Sequence, residues 1–324
     1  MYPYIRRAEL NEGLRLLNKG MLRVFLVLLH DFPEFLCDYA WTFLEIIPLN
    51  CLQLRNIILL AAPSALRAIE PLDRTVSPEM LPEVGLRPRF LGSPVDSLPK
   101  ALRAEVESYL RVRPPFAGVL QAPVPGHPSM LSHGALTAAA QIRPLLLADA
   151  EEATTMLNRW SMRSINALVP YLAQVTLLRL TEGTGVSARV PPQATLAAAV
   201  NTGASEIFRA LIFELDSEGR YALLATIASH LRYPNAHTLF FSRLLITVFL
   251  DATTLGGVVG EAVREQVTRV LVERLVTYRP HPWGLVECFA ELVRVGGGRH
   301  GFSFAHSSPE IERLFDGLLR LVGV

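Results

Sequence analysis

Three features of this 324-residue sequence predict an all-α fold. Apolar residues recur every three or four positions through most of the chain. Two segments, 216–238 and 265–285, each consist of a predicted helix, an Arg and a Pro-containing corner with His, followed by another apolar helix. No stretch combines alternating polarity with a two-residue hairpin turn. Helices joined by such short corners favour a HEAT-like array of stacked helical pairs in one elongated domain, residues 1–324.

The composition supports a large buried core and gives no overall electrostatic attraction to a particular partner. Half of the residues are hydrophobic, and the net charge is +1. The three cysteines are far apart in apolar contexts, which predicts buried thiols in a reducing compartment. The N-terminus lacks a secretory signal pattern, and its longest apolar run, 24–29, is far short of the roughly 18 to 20 residues that span a bilayer. We expect a soluble, intracellular protein without a membrane partner.

The N-terminal region predicts four short helices. Breaks at Gly20, Pro33 and Pro48 divide residues 9–51 into three apolar helices. Asn50 is the expected N-cap of a fourth helix, which ends before Pro63. One face of the second helix is predicted to carry Leu22, Phe25, Leu26 and Leu29.

Two proline-rich excursions interrupt the helical pattern. Prolines cluster at about 63–97, which predicts an ordered surface segment or a lid across the helices. A helix is expected at 98–112, and the Pro- and Gly-rich stretch at about 113–134 is predicted to be a disordered loop. Residues 135–180 read as two or three helices, with Pro144 and Pro170 at early helical positions or at kinks.

The remainder of the chain is predicted to be nearly all helix. The expected helices are 205–215, 217–231, 235–252, 259–278, 282–295 and 308–322. Asp216 or Ser217, Asn235 and Ser308 are suited to cap helix N-termini. Pro282 and Pro309 suit the first helical position.

No set of residues predicts a catalytic, cofactor or metal site. His30 and Asp31 are adjacent on a helix end, where neighbouring side chains are expected to point apart, and a capping role for Asp31 is favoured. The glycines at 296–298 lack the strand and the Lys-Ser/Thr of a phosphate-binding loop, which favours a flexible helix connection. His230, His237 and His281 lack metal-ligand spacing, so capping, packing or partner contact is expected of them.

The two corners are the predicted sites of partner contact. Tyr233 and Trp283 lie beside corner prolines, where large rings either pack between helices or anchor a binding partner. The predicted contact residues are Arg232, Tyr233, Asn235, His237, Arg279, His281 and Trp283. The alternative for all of these positions is that they only fasten adjacent helices.

Several long blocks carry a family resemblance. Besides the two corner segments they are RVFLVLLHDFPEFLCDY (23–39), PLNCLQLRNIIL (48–59) and SPEIERLF (308–315). Together they resemble the C-terminal homology domain of the Not-one scaffold subunit of the CCR-NOT deadenylase complex.

The resemblance implies a HEAT-like domain without an active site that docks the heterodimer of the Not-two and Not-three subunits. The complex shortens poly(A) tails and represses translation, so the expected location is the cytoplasm and the nucleus. In some lineages the domain also receives short peptides of RNA-bound repressors or a ubiquitin ligase subunit. Because the family scaffold is far longer, the chain is expected to be a C-terminal fragment.

Two regions, 117–150 and 296–304, depart from the family pattern, which puts partner contacts through them in doubt. The alternative function is a helical platform that binds RNA or repressor peptides directly. A local patch of Arg111, Arg113, Arg279 and Arg299 would serve RNA, but the near-neutral net charge argues against it.

Overall fold

The fold consists of helices throughout the part of the chain that the structure, a computed structural model, describes. This part comprises residues 11–66, 78, 81–89, 91–92, 94–112, 131–149, 159–182, 202–306 and 308–321. Within it the strand-like pairing is limited to an isolated bridge between Leu147 and Trp160. The predicted all-α class is confirmed.

Twelve helices of nine residues or more are described in these ranges. They are α1 Glu12–Asp31, α2 Pro33–Ile46, α3 Leu52–Leu60, α4 Lys100–Val112, α5 His133–Leu145, α6 Met162–Glu182, α7 Gly203–Glu214, α8 Ser217–Ala228, α9 Ala236–Leu255, α10 Gly257–Leu275, α11 Trp283–Val295 and α12 Pro309–Leu321. Single helical turns occur at Pro82–Gly85, Pro94–Ser97, Gly298–Gly301 and Ser303–His306.

The predicted break at Gly20 is wrong, because α1 continues through this residue to Asp31. Within the described residues 11–62 there are therefore three helices, α1 to α3. A glycine inside a helix costs about 0.5–1 kcal/mol relative to alanine, which the apolar packing of the following turns outweighs. The inward side of α1 has Phe25 at its centre, flanked by Leu22 and Leu29. Leu26 was predicted on the same face but is exposed.

Three local predictions near the ends of α1 to α3 also fail. α3 begins after Cys51 rather than Asn50, and no side chain caps its N-terminus. Asp31 does not cap α2, whose N-cap residue is Phe32. The side chains of His30 and Asp31 meet, with 2.7 Å between Nδ1 and Oδ1, although both are exposed. Helical spacing alone did not reveal this contact.

The C-terminal helices follow their predicted limits closely, since their caps are encoded locally. The side chains of Asp216, Asn235 and Ser308 accept hydrogen bonds from backbone N–H groups at the starts of α8, α9 and α12. Pro309 is the first residue of α12 as predicted, whereas Pro282 is the N-cap of α11. Pro170 lies inside α6.

Two hydrophobic cores hold the array together. The larger core draws on α4 to α12, where successive helices pack against one another and α9 contacts α6, α10 and α11. The second core lies among α1, α2 and α3. Besides Ala61, which directly follows α3, the buried residue that this core draws from outside these helices is Tyr233, in the connection between α8 and α9. This connection therefore joins the N-terminal helices to the main body.

Part of the first proline-rich excursion lies across the helices, in keeping with the predicted ordered segment. Val84 is buried against Leu239 of α9 and Leu177 of α6. The Leu86 carbonyl accepts from the backbone N–H of Ala236 at 2.9 Å. Most of the second excursion, residues 113–130, lies outside the described residues.

Among the described helices, α9 is the one that is long and apolar enough to cross a membrane. Most of its side chains are buried by the surrounding helices. A mostly buried apolar helix of this length is typical of the core of a globular array.

Candidate partner-binding site

The connection between α8 and α9, residues 229–235 and here termed corner A, is a turn closed by its own side chains. The Oδ1 atom of Asn235 accepts from the backbone N–H groups of His237 at 3.0 Å and Thr238 at 3.1 Å. Its amide nitrogen donates to the Tyr233 carbonyl at 2.7 Å and to the Thr238 hydroxyl at 2.9 Å. Asn235 thereby caps α9 and fixes the preceding turn, because an amide both accepts and donates.

Corner A also receives the start of α11. The backbone N–H of Gly284 donates to the Arg232 carbonyl at 2.7 Å. A Cβ at residue 284 would collide with the Thr238 methyl group and would lie 2.9 Å from the Arg232 carbonyl oxygen. Only glycine permits this approach of two backbones. The two corner segments that the sequence singled out are thus in direct contact.

Arg232 and Tyr233 extend from corner A towards the N-terminal helices. The guanidinium of Arg232 donates to the carbonyls of Cys37 at 3.3 Å and Arg89 at 3.2 Å. The Tyr233 hydroxyl accepts from the Arg89 backbone N–H at 2.9 Å. Arg89 in turn forms a bidentate ion pair with Asp38 of α2, at 2.9 and 3.0 Å. These contacts fasten α2 and the 81–89 segment to corner A.

The two histidines of this region are uncharged at neutral pH. Burial, followed by the positive charge of Arg87, lowers the pKa of His237 from 6.5 to about 3. Burial also moves the pKa of His230 well below its usual value. The His230 ring stacks on Phe241 with 5.0 Å between centroids. Both imidazoles are packing groups in this arrangement.

Two buried arginines complete the junction, by which we mean the set of contacts that joins corner A to the neighbouring helices. Arg55 of α3 donates to the carbonyls of Leu44 at 3.0 Å and Ile47 at 2.5 Å, at the end of α2. Arg274 of α10 donates to the Ala225 carbonyl of α8 at 3.0 Å. The Ser229 hydroxyl oxygen accepts from both guanidiniums, at 3.0 Å from Arg55 and at 2.8 Å from Arg274. The carbonyl groups of a helix C-terminus carry partial negative charge, which offsets the burial of these cations.

Sequence reasoning missed this pair of arginines. Burial lowers the pKa of Arg274 to about 10, so the group stays protonated at neutral pH. The available signal was that each Arg lies among apolar residues on a predicted helix, 54–58 for Arg55 and 270–275 for Arg274. An Arg in such a position must find internal acceptors when its helix is buried.

The second connection, residues 276–282 between α10 and α11 and here termed corner B, is held by hydrogen bonds with α3 but has exposed side chains. Gln53 of α3 accepts from the backbone N–H of Tyr278 at 2.7 Å, and Asn56 donates to the Arg274 carbonyl at 2.9 Å. The side chain of Tyr278 is nevertheless 84% exposed. Arg279 beside it is also exposed.

The predicted contact residues therefore divide into two groups. Arg232, Tyr233, Asn235 and His237 are all buried, and the contacts described for them are with other parts of the chain. These are the fastening interactions that the sequence left open as the alternative. At corner B, Arg279 is exposed and His281 and Trp283 are half-buried. Contact with a partner stays a prediction for all seven positions.

The four arginines considered for RNA do not form a described patch. Arg111 pairs with Glu107 at 3.2 Å, one turn earlier on α4. Arg113 and the side chain of Arg299 lie outside the described residues.

The described residues offer little reactive chemistry. Burial raises the pKa of the Cys37 thiol to about 11 and also raises that of Cys288, which keeps both in the unreactive protonated form. No three His, Cys, Asp or Glu side chains within the described ranges lie close enough together to hold a metal ion. What the junction does through its contacts is join helices.

Comparison with known proteins reveals similarity along nearly the whole chain. The sequence pattern of the family described as "CCR4-Not complex component, Not1" matches residues 1–319. The chain is 35% identical over 322 residues to the CCR4-NOT transcription complex subunit let-711 of Caenorhabditis elegans, covering 98% of this chain and 11% of that protein. It is 30% identical over 310 residues to the general negative regulator of transcription subunit 1 of Schizosaccharomyces pombe, covering 94% of this chain and 13% of that protein.

Two solved structures share the fold. The NOT1 superfamily homology domain from Chaetomium thermophilum superposes with a TM-score of 0.74 at 23% identity, covering 98% of this chain and 55% of that one. A structure described as the Not1 C-terminal domain in complex with Not4 has a TM-score of 0.69 at 22% identity, covering 92% of this chain and 54% of that one. The chain thus corresponds to about a tenth of the curated relatives and to about half of each solved domain. On the strength of the match over residues 1–319, the chain belongs to the Not1 family of CCR4-Not complex components.

Proposed function

We propose that the chain is a non-catalytic scaffold domain that docks other subunits of the CCR4-NOT complex, and in particular the heterodimer of the Not-two and Not-three subunits. The observation that carries the proposal is the family match across residues 1–319. The Not4-bound structure supports the general role, because in it a Not1 C-terminal domain of similar fold forms a complex with another protein. The choice of the Not-two and Not-three heterodimer rests on the resemblance of the corner and terminal blocks.

The internal contacts support a preformed platform. Corner A is closed by Asn235, fastened to α2 through Arg232 and packed against Gly284 of α11. Docking on a surface that is already ordered loses less conformational entropy than docking on one that must fold first. A partner that wraps over several helices would then lose entropy chiefly on its own side.

The character of the buried polar groups favours docking over catalysis. Arg55 and Arg274 are held by helix-end carbonyls, and the imidazoles of His230 and His237 are packed against aromatic rings. A general acid or base needs a pKa near the working pH and access to a substrate. Arg274, His230 and His237 combine displaced pKa values with burial, so we propose that the domain supports mRNA deadenylation and translational repression only by holding other subunits.

Co-purification tests this function directly. The chain would be produced together with the C-terminal regions of the Not-two and Not-three subunits and examined by size-exclusion chromatography with light scattering. We expect one complex containing all three polypeptides, and the matched controls omit one polypeptide at a time. Separate elution of the chain from an intact heterodimer would overturn the proposal.

We further propose that the protein acts in both the cytoplasm and the nucleus. Fluorescence microscopy of the tagged protein is expected to show both compartments. Confinement of the tag to a membrane-bound organelle would contradict this location.

A further inference from the structure

A small cavity lies at corner A, where the N-terminal helices meet the main body. Its volume is about 20 Å³, and residues of α2, α3, α6, α8 and corner A line it. A water molecule needs about 10–15 Å³ of such volume, so the cavity has room for one or two groups of that size. Glu45, an exposed residue of the lining, marks the side that faces solvent.

The inner part of this cavity is positively charged. Arg55 and Arg232 both belong to its lining and are both buried. Burial lowers the pKa of His230, which also lines the cavity, and the charges of Arg55, Arg232 and Arg274 lower it further. Three guanidinium groups therefore act on the same small space.

Arg232 has no carboxylate partner within the described part of the chain. It is 4% exposed, and its terminal nitrogens donate to two backbone carbonyls, at 3.2 and 3.3 Å. Its buried Nε has no hydrogen-bond acceptor among the described residues, and neither has Nη1 of Arg274. Carbonyl oxygens carry only partial charge, whereas a buried cation is normally paired with a full negative charge. A charged acceptor in the cavity would supply that pairing.

The opposite wall adds a neutral donor. The amide oxygen of Asn166 accepts from the Thr226 hydroxyl at 3.2 Å, which leaves the NH2 group of Asn166 as a donor on the cavity wall. Ala40, Leu44 and Pro88 supply apolar walls. Low polarity around a charged hydrogen bond strengthens it, because little water competes for the donors.

We propose that this cavity is a binding site for one small monovalent anion, either chloride or a carboxylate group, held by Arg55, Arg232 and Asn166. Its positive lining disfavours a cation, and its volume disfavours an anion as large as sulfate or phosphate. The three ligands come from α3, corner A and α6, so a bound anion stabilises the junction. The cavity lies inside the chain, so the site is independent of which subunits the domain docks.

Glu45 at the opening works against the anion. Burial raises the pKa of its carboxyl group, whereas Arg163 and a hydrogen bond from Trp41 lower it. A carboxylate beside the entrance repels a second negative charge. Replacement of Glu45 by glutamine removes this repulsion and keeps an acceptor for Trp41.

Thermal unfolding in defined salts tests the site. Circular dichroism would follow the melting temperature of the 324-residue chain while sodium chloride replaces sodium gluconate at constant ionic strength. We expect a saturable rise that reaches about 2 °C when chloride is at ten times its Kd. Line broadening of the chloride NMR signal would measure binding directly. Sodium acetate and sodium sulfate are the further arms.

Variants of the lining identify the site. Arg232→Met should weaken chloride binding at least about 10-fold, whereas the matched control Arg313→Met, at an exposed position of α12, should leave it unchanged. Glu45→Gln should tighten binding about 3-fold, because it removes a nearby negative charge. Glu45 is exposed, so this variant decides the matter even if Arg232→Met fails to fold.

Two results would support the site and distinguish its ligands. If acetate does not displace chloride, the ligand is the free halide. If acetate displaces chloride, the ligand is a carboxylate group. Equal rises in melting temperature with chloride, gluconate and sulfate would overturn the proposal. Chloride binding that is unaltered in Glu45→Gln, or in a folded Arg232→Met chain, would overturn it as well.

Discussion

Replacement of Gly284 by alanine is expected to loosen the junction between the two corners. Gly284 lies in the first turn of α11, and its backbone N–H donates to the Arg232 carbonyl at 2.7 Å. The added methyl group would collide with Thr238 Cγ2 and approach the Arg232 carbonyl oxygen to 2.9 Å. One of the two segments must move to accommodate it.

The surroundings of Thr238 leave little room for adjustment. Its hydroxyl lies 3.0 Å from the carbonyl oxygens of both His230 and Tyr233, and it accepts from the Arg232 backbone N–H at 3.2 Å. Rotation of Thr238 to remove the clash would sacrifice these bonds. Overpacking costs about 1–3 kcal/mol, and each lost hydrogen bond about 1 kcal/mol. We therefore expect a total loss of about 2–4 kcal/mol in the free energy of unfolding.

Circular dichroism at 222 nm during thermal unfolding would measure this loss. With an unfolding entropy of about 2.1 cal/mol/K per residue, each kcal/mol shifts the melting temperature of a chain of this size by about 1.5 °C, so the apparent melting temperature should fall by roughly 3–6 °C. The matched control is Gly317→Ala on α12, where an added Cβ meets nothing within 4 Å. There we expect no loss, or a gain of about 0.5–1 kcal/mol, because alanine favours the helix. A Gly284→Ala variant that melts within 1 °C of the wild type, with that value fixed at about the error of the scan, would refute the packing argument.

Three further predictions concern the junction and its exposed neighbour. Because burial lowers the folded-state pKa of His237 from 6.5 to about 3, its contribution to stability is present above pH 6.5 and is lost as the pH falls towards 3. Between pH 7 and pH 5 denaturant titrations should show a loss of stability that is about 2 kcal/mol larger in the wild-type chain than in His237→Gln, which keeps the pH dependence due to His230. Arg274→Ala should lower the free energy of unfolding in urea by about 3–5 kcal/mol, because the variant loses charge-assisted hydrogen bonds and leaves a cavity. The control Arg269→Ala, on the exposed side of α10, should lower it by about 0.5 kcal/mol. Equal losses in the two variants would contradict this reasoning. Tyr278→Ala should change the free energy of unfolding by less than about 0.5 kcal/mol, because Tyr278 is exposed at corner B. A larger loss would show that Tyr278 is a packing residue.

The sequence predicted those parts of the fold whose signals are local. Asp216, Asn235 and Ser308 precede segments that the sequence predicts as helices, and their side chains cap these helices as expected. Such caps depend on backbone groups two or three residues away. The prediction of a helix break at Gly20 failed. Glycine lowers the stability of a helix by itself, but the packing of neighbouring turns of α1 against the core outweighs this cost.

The organisation of the candidate site could be predicted only in part. The sequence indicated that the corner residues are structurally important. Their spacing could not distinguish a buried residue that joins helices, such as Arg232, from an exposed residue such as Arg279. That distinction depends on Arg89 and Cys37, which lie more than a hundred residues away along the chain.

Hydrogen exchange measured by mass spectrometry tests most directly whether a rigid junction supports docking on the outer surface. In the free chain, the backbone amides of corner A should exchange only with global unfolding, while those around Tyr278 exchange faster. When the Not-two and Not-three heterodimer is added, protection should increase at exposed positions such as those of corner B, with little change in corner A. Rapid local exchange at corner A in the free chain, or protection gained chiefly there upon assembly, would contradict the account.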